Sequence, residues 1–191
     1  TLDFQNNINT KNNFLVGISP SVGNKIKEWD SRKFAQLADY IYSKYHSVII
    51  ITGGSSDIDK SKEMINSLSL NTKFIDTTGL FDLDELKALI SMLSLYISVD
   101  TGPIYIAEAF NVPTIDIIGP MDENEQPPRG EKNRIVKVEN RNQPAIHIMN
   151  SSDYDYKEAR RQIDEIAIEM VTGKLEELAS VINLKKHGSE A

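Results

Sequence analysis

Apolar and polar positions follow two alternating rhythms along this chain. Phe14-Leu15-Val16-Gly17-Ile18 is a short run of strand formers. From Ser31 to Tyr45, Phe34, Leu37, Ala38, Ile41 and Tyr45 recur at helical spacing and predict one buried helix face. Asp30 or Ser31 can cap its start. Val48-Ile49-Ile50-Ile51 is apolar on both faces, as a buried parallel strand is, and Gly53-Gly54-Ser55-Ser56 ends it. A helix carrying Ile58, Met64, Ile65 and Leu68 follows, then a strand at Lys73-Phe74-Ile75. Asp82-Leu83-Asp84-Glu85 has capping-box spacing ahead of a helix with Leu86, Ile90 and Leu93. Leu95 to Val99 reads as a strand, Pro103 to Phe110 as a short helix, Thr114 to Ile118 as a strand and Arg134 to Val138 as another. Met121 to Lys132 reads as a long exposed loop, and Arg141 to Tyr156 is polar without clear period. The chain closes on a helix whose face holds Ile168, Val171, Leu175, Leu178 and Val181 or Ile182. Strands alternating with helices predict βαβ units and an α/β domain with a parallel sheet covered on both faces.

Composition narrows the classes. The chain has 191 residues, 40% of them hydrophobic and 26% charged, which suits one globular domain. Its net charge of −7 and the lack of a basic patch argue against duplex nucleic acid as a partner. Without cysteine, disulfides, thiolate metal sites and a cysteine nucleophile are excluded. No apolar run reaches the roughly 18 residues of a membrane span. His46, His147 and His187 show no metal-ligand spacing, so no metal is expected.

In a parallel sheet, ligands sit at the carboxyl ends of strands, and three loops there hold candidate chemistry. Ser19 to Trp29 is small and polar, with Lys25 and Lys27 ahead of a helical start that suits a phosphate. It also reads as a flexible loop with solvated lysines. Gly53 to Asp59 lets a ligand approach the backbone, and Asp57 or Asp59 could accept from a ribose; the bland alternative is a tight turn with Asp57 as N-cap. Asp100-Thr101-Gly102-Pro103 offers N–H groups at a helix start, with Pro103 suited to the first turn. Asp100 would repel a diphosphate, so it either organises the loop or binds a sugar hydroxyl; a plain capped helix is the alternative. Trp29 reads as a packing anchor for the Lys27 loop.

Asp100-Thr101-Gly102-Pro103-Ile104-Tyr105-Ile106-Ala107-Glu108-Ala109-Phe110-Asn111-Val112-Pro113-Thr114, with Ile118-Gly119-Pro120 beyond, resembles the signature of glycosyltransferase family 9, the ADP-heptose:lipopolysaccharide heptosyltransferases. Ile18 to Trp29, Ile51 to Gly54, Gly79 to Leu93 and Ile166 to Leu178 are similar to other family segments in the right order. The resemblance covers residues 14–183 and implies a doubly wound Rossmann-like sheet, one half of a GT-B glycosyltransferase. Residues 1–13 would be a polar linker and 184–191 a tail. By the same likeness the chain is the nucleotide-sugar-binding half of an inverting, metal-independent enzyme of lipopolysaccharide or surface-glycan synthesis. Its general base and its glycan or lipid-linked acceptor would lie with a further N-terminal domain, and the start at Thr1 fits a fragment.

The resemblance assigns roles residue by residue. Lys27 matches the lysine that stabilises the leaving diphosphate, and Ser21 lies near the phosphate contacts. Gly54 belongs to the second loop, Asp57 or Asp59 to the ribose, and Phe81 to the base or to a staple on the next helix. Asp100, Thr101 and Gly102 match the donor-binding turn. Tyr105 stands where the family has His, and Glu108 where small residues are common. The co-substrate would be a nucleoside-diphosphate sugar such as ADP-heptose, with no bound cofactor. The location would be cytoplasmic, at the cytoplasmic face of the inner membrane. Three alternatives remain open: a GT-B-shaped epimerase, a binding module without catalysis, for which Tyr105 speaks, and a flavodoxin-like domain.

Overall fold

The computed structural model describes residues 14–125, 128–141, 143–146 and 154–184. The segments 1–13 and 185–191, and with them His187, lie outside the described residues, as does His147. Six strands, β1 (Leu15–Ser19), β2 (Val48–Ile51), β3 (Phe74–Asp76), β4 (Leu95–Val99), β5 (Thr114–Ile117) and β6 (Asn133–Val136), form one sheet in the order β3-β2-β1-β4-β5-β6. Every pairing is parallel. The order runs outward from β1 in both directions, so the crossover connections reverse between β1 and β4 and open a crevice there.

Period-two alternation sorts the side chains. Val16, Ile18, Ile49, Ile51, Leu95, Ile97, Ile115 and Ile117 join one core with helices α1 (Ser31–Tyr45), α2 (Ile58–Ile65) and a C-terminal helix, α6 (Ile168–Val181). Leu15, Ile50 and Tyr96 face the other side and pack with α3 (Leu83–Ser91) and α4 (Gly102–Ala109). Tyr96 lies flat on that face because its register partner on β1 is Gly17, where a Cβ would come within 2.6 Å of the ring. Its hydroxyl meets Thr52 Oγ1 at 2.9 Å, and burial pushes its pKa up to about 12.

Helix α1 forms at the predicted residues. The Asp30 carboxylate accepts from Arg32 N at 2.8 Å as N-cap, and His46 closes the helix with φ 53°. Phe34, Ala35, Leu37, Ala38 and Ile41 are fully buried, and truncating Phe34 to Ala would cost about 3–5 kcal/mol. The Asp82–Glu85 capping box opens α3 with both reciprocal bonds.

Two differences from the sequence expectation stand out. Tyr156–Asp164 is a helix, α5, where no helix was expected. Its buried face is Ala159, Gln162 and Ile163, and Gln162 is kept there by bonds to Gln143 O at 3.0 Å, to Glu158 and to Ala145 N. Met121, read as part of an exposed loop, is buried and bridged to Ile146. Among the described residues no helix is long and apolar enough to cross a membrane.

Candidate functional site

The crevice at the carboxyl ends of β1 and β4 holds a cleft of about 760 Å³, walled by Val22, Gly23, Lys25, Lys27, Asp100, Thr101 and Gly102. A smaller pocket of about 240 Å³ adjoins it and shares Val22, Gly23, Thr101 and Gly102; Thr52, Gly54, Asp57 and Leu86 form its further wall. The three loops singled out from the sequence therefore line one continuous groove.

The β1 loop ends in a short 3₁₀ turn, Lys25–Lys27, capped by the Asn24 carboxamide oxygen accepting from Ile26 N at 3.2 Å. That turn aims Lys27 at the β4 loop. Its ammonium donates to Asp100 O at 2.6 Å and to Asp100 Oδ2 at 3.1 Å, with only 12% of the side chain exposed. An ammonium has three donors, so one remains for the cleft that Lys27 lines. The other Asp100 oxygen accepts from the Tyr105 hydroxyl on α4. Burial, then that contact, raises the Tyr105 pKa above the ordinary tyrosine range, so the phenol stays neutral. Asp100 thus organises the loop, and each carboxyl oxygen keeps a further lone pair, so the second reading, a sugar hydroxyl, stands beside it.

At the start of α4, Thr101 is the N-cap residue but makes no side-chain capping bond, and Pro103 lies in the first turn. A Cβ built on Gly102, or on Gly23 across the cleft, would meet nothing within 4 Å. Neither glycine is required by the protein's own packing, and both leave backbone open to the groove. Gly53 differs: a Cβ there would come to 3.0 Å from Asp57 Cβ.

Asp57 bridges loops. It accepts from Ser21 Oγ at 2.6 Å, Gly54 N at 2.8 Å and Ser56 Oγ at 3.3 Å. It is also the N-cap residue of α2, without a side-chain capping bond to that helix, and its carboxylate closes the tight turn at Gly54, so the bland alternative of a turn residue stands beside the ribose role. Asp59 is exposed on α2. Phe81 and Leu86 pack against the same apolar cluster, as a hydrophobic staple across the α3 start does. Trp29 is buried, donates to Ile166 O at 3.0 Å and meets Phe34 edge-on at 4.8 Å, as expected of an anchor.

One residue beside the site escaped the sequence reading. Asp116, on β5 next to Ser98 in register, is 0% exposed, and neither carboxyl oxygen has a partner among the described residues. Burial pushes its pKa well above the carboxylate range, the Asp100 charge adds to this, and Lys27 opposes it. The signal was available: a lone carboxylate in an otherwise apolar central strand. Among the described residues no group of three His, Cys, Asp or Glu side chains is gathered as a metal site requires.

Comparison with known proteins places this geometry. Lipopolysaccharide heptosyltransferase 3 of Escherichia coli is 30% identical over 113 residues, 58% of this chain and 32% of its own length. Lipooligosaccharide heptosyltransferase 2 of Campylobacter jejuni is 27% identical over 122 residues, 62% of this chain and 38% of its own. The chain spans about a third to two fifths of these curated relatives. Among solved structures, E. coli ADP-heptose lps heptosyltransferase II superposes with a TM-score of 0.70 at 20% identity, over 90% of this chain and 47% of that one. An E. coli heptosyltransferase solved with ADP-2-deoxy-2-fluoro heptose gives 0.62 at 14% identity, over 92% and 47%. At such identities the structures establish the fold, one half of a GT-B arrangement. The family model described as glycosyltransferase family 9 (heptosyltransferase) matches residues 2–154, so with strand order, crevice and signature in agreement, the chain belongs to glycosyltransferase family 9.

Proposed function

We propose that this domain binds a nucleoside-diphosphate sugar and serves as the donor half of an inverting, metal-independent glycosyltransferase. The observation that carries the reading is the pair Gly23 and Gly102, whose Cα atoms face open space across a cleft that also holds Lys27. Backbone left bare on two sides of an ammonium suits a diphosphate, which gains from N–H groups and from the positive end of α4. In this reading Lys27 and the α4 start hold the charge that grows on the leaving diphosphate. An acceptor hydroxyl attacks the anomeric carbon from the opposite side, and a base outside this chain takes its proton. Asp100, steadied by Lys27 and Tyr105, offers its carboxylate to sugar hydroxyls. The nucleoside lies along the second pocket, near Asp57 and Leu86. Two structures of one solved E. coli relative, one with ADP-2-deoxy-2-fluoro heptose and one with ADP, support ADP-heptose as the first donor to try. The acceptor is a surface glycan or its lipid-linked form, met at the cytoplasmic face of the membrane.

A second reading, a nucleotide-sugar-binding module without turnover, is favoured by Tyr105, a neutral phenol committed to Asp100. Calorimetric titration with ADP, GDP, UDP and CDP, beside Lys27→Ala, tests the binding common to both. One diphosphate binds, and the variant weakens it about tenfold, the worth of a charge-assisted contact. Silence with all four nucleotides overturns the proposal. Turnover by a two-domain protein carrying this half separates the two readings.

A further inference from the structure

We infer that Arg160, on α5, is a positioning residue for Lys27; the inference rests on the diphosphate role of Lys27 proposed above. Arg160 Nη1 lies 3.1 Å from Lys25 O, 3.4 Å from Ile26 O and 3.0 Å from Glu28 O. These are carbonyls of the 3₁₀ turn and of its C-cap. A single Nη1 carries two hydrogens, so it serves three acceptors by sharing one. The second nitrogen, Nη2, pairs with Asp164 one turn along α5 and fixes the plane of the guanidinium.

The turn is held from the same side by other groups. Ile26 and Ala159 belong to one buried cluster. Lys33 Nζ and Trp29 Nε1 both donate to Ile166 O, at 2.9 and 3.0 Å, in the connection between α5 and α6. Helix α5 itself packs closely on Gly119, just past β5, where φ is +52° and a Cβ would lie 2.8 Å from Ile163 Cδ1. Lys27 is thereby held at both ends, its ammonium by Asp100 and its backbone by α5. Arg160 is 27% exposed and does not line the cleft that Lys25 and Lys27 wall, so its effect on a ligand passes through the backbone that carries Lys27. Lysine replaces it only in part, since one ammonium on a flexible stem does not present this planar fork.

The test is a double-mutant cycle on the full chain, read as ADP affinity, with Lys27→Ala, Arg160→Met and both together. Arg160→Met weakens ADP about tenfold when Lys27 is present and less than about twofold when it is not. Arg160→Lys recovers only part of the loss. Arg161→Met, which breaks ion pairs to Glu158 on the same helix and to its C-cap Glu165, leaves affinity unchanged and controls for loss of helix stability. Equal losses in both Lys27 backgrounds overturn the inference.

A second arm needs no nucleotide. The rate at which acetic anhydride labels Lys27, relative to exposed Lys62, rises at least about threefold in Arg160→Met as the turn loosens. Failure of the wild type to bind ADP, GDP, UDP or CDP counts against the donor-site reading, and if another of the four binds in place of ADP the cycle is read with that one. An unchanged Lys27 labelling rate counts against the clamp, whatever ADP does.

Discussion

Replacing Asp116 by Ala should stabilise the domain at neutral pH. The carboxyl is fully buried and neither oxygen has a hydrogen-bond partner among the described residues. Leaving a buried polar group unsatisfied costs about 1–3 kcal/mol. Truncation opens a void of roughly 25 Å³, which at about 24 cal/mol per Å³ costs about 0.6 kcal/mol. The relief outweighs the void, and the net gain is about 1 kcal/mol, or about 2–4 °C in Tm for a domain of this size. The gain also depends on pH. Burial and the Asp100 charge raise the folded pKa of Asp116 above its unfolded value. Its contribution to stability is therefore greatest below the unfolded pKa and is lost as pH rises through the folded one. Urea unfolding of both proteins at pH 5 and pH 7.5, followed by circular dichroism, isolates this group as a difference. The variant should lead at pH 7.5, and the gap should narrow at pH 5. A variant less stable than the wild type at pH 7.5, or a gap indifferent to pH, would refute the reasoning, because Asp116 would then have a partner that matters.

Gly102→Ala should separate binding from stability. Its Cβ meets nothing within 4 Å, so the helix start gains up to about 1 kcal/mol, while calorimetry should show weaker ADP binding. Gly119→Ala should do the reverse and cost about 1–3 kcal/mol in thermal unfolding, because φ is +52° and the new methyl would lie 2.8 Å from Ile163 Cδ1. Burial pushes the Glu176 carboxyl up, but hydrogen bonds from Lys44, Tyr40 and Tyr45 outweigh it and hold the pKa at about 2. Its stabilisation is present above the ordinary carboxylate pKa and fades as pH falls toward 2. Glu176→Gln should therefore cost about 1 kcal/mol at pH 7 and flatten the acid limb of the stability curve.

The layered fold was legible because a parallel sheet buried on both faces writes itself as apolar runs, and β2, β4 and α1 form at the residues their patterns mark. Helix α5 was not, because its buried face includes Gln162, and only Ala159 and Ile163 carry an apolar signal. The three site loops were legible from strand ends, glycines and the family signature. What holds them together was not. Ser21 and Asp57 are 36 residues apart, Lys27 and Asp100 are 73 apart, and Arg160 meets Lys25 across 135. Such pairings depend on tertiary placement, which no local spacing encodes.

The adjacency of β1 and β4 has a thermodynamic consequence. Two walls of the cleft hang from strands separated by β2, β3 and three helices, so neither wall finds the other until the middle of the sheet has assembled. Any molecule that touches both recognises only the folded state. At about a hundred times its Kd, such a ligand adds about 2.7 kcal/mol to the unfolding free energy of the whole sheet. Melting temperature therefore serves as a binding assay for this domain, and a screen of nucleotide sugars can be read from thermal shifts alone.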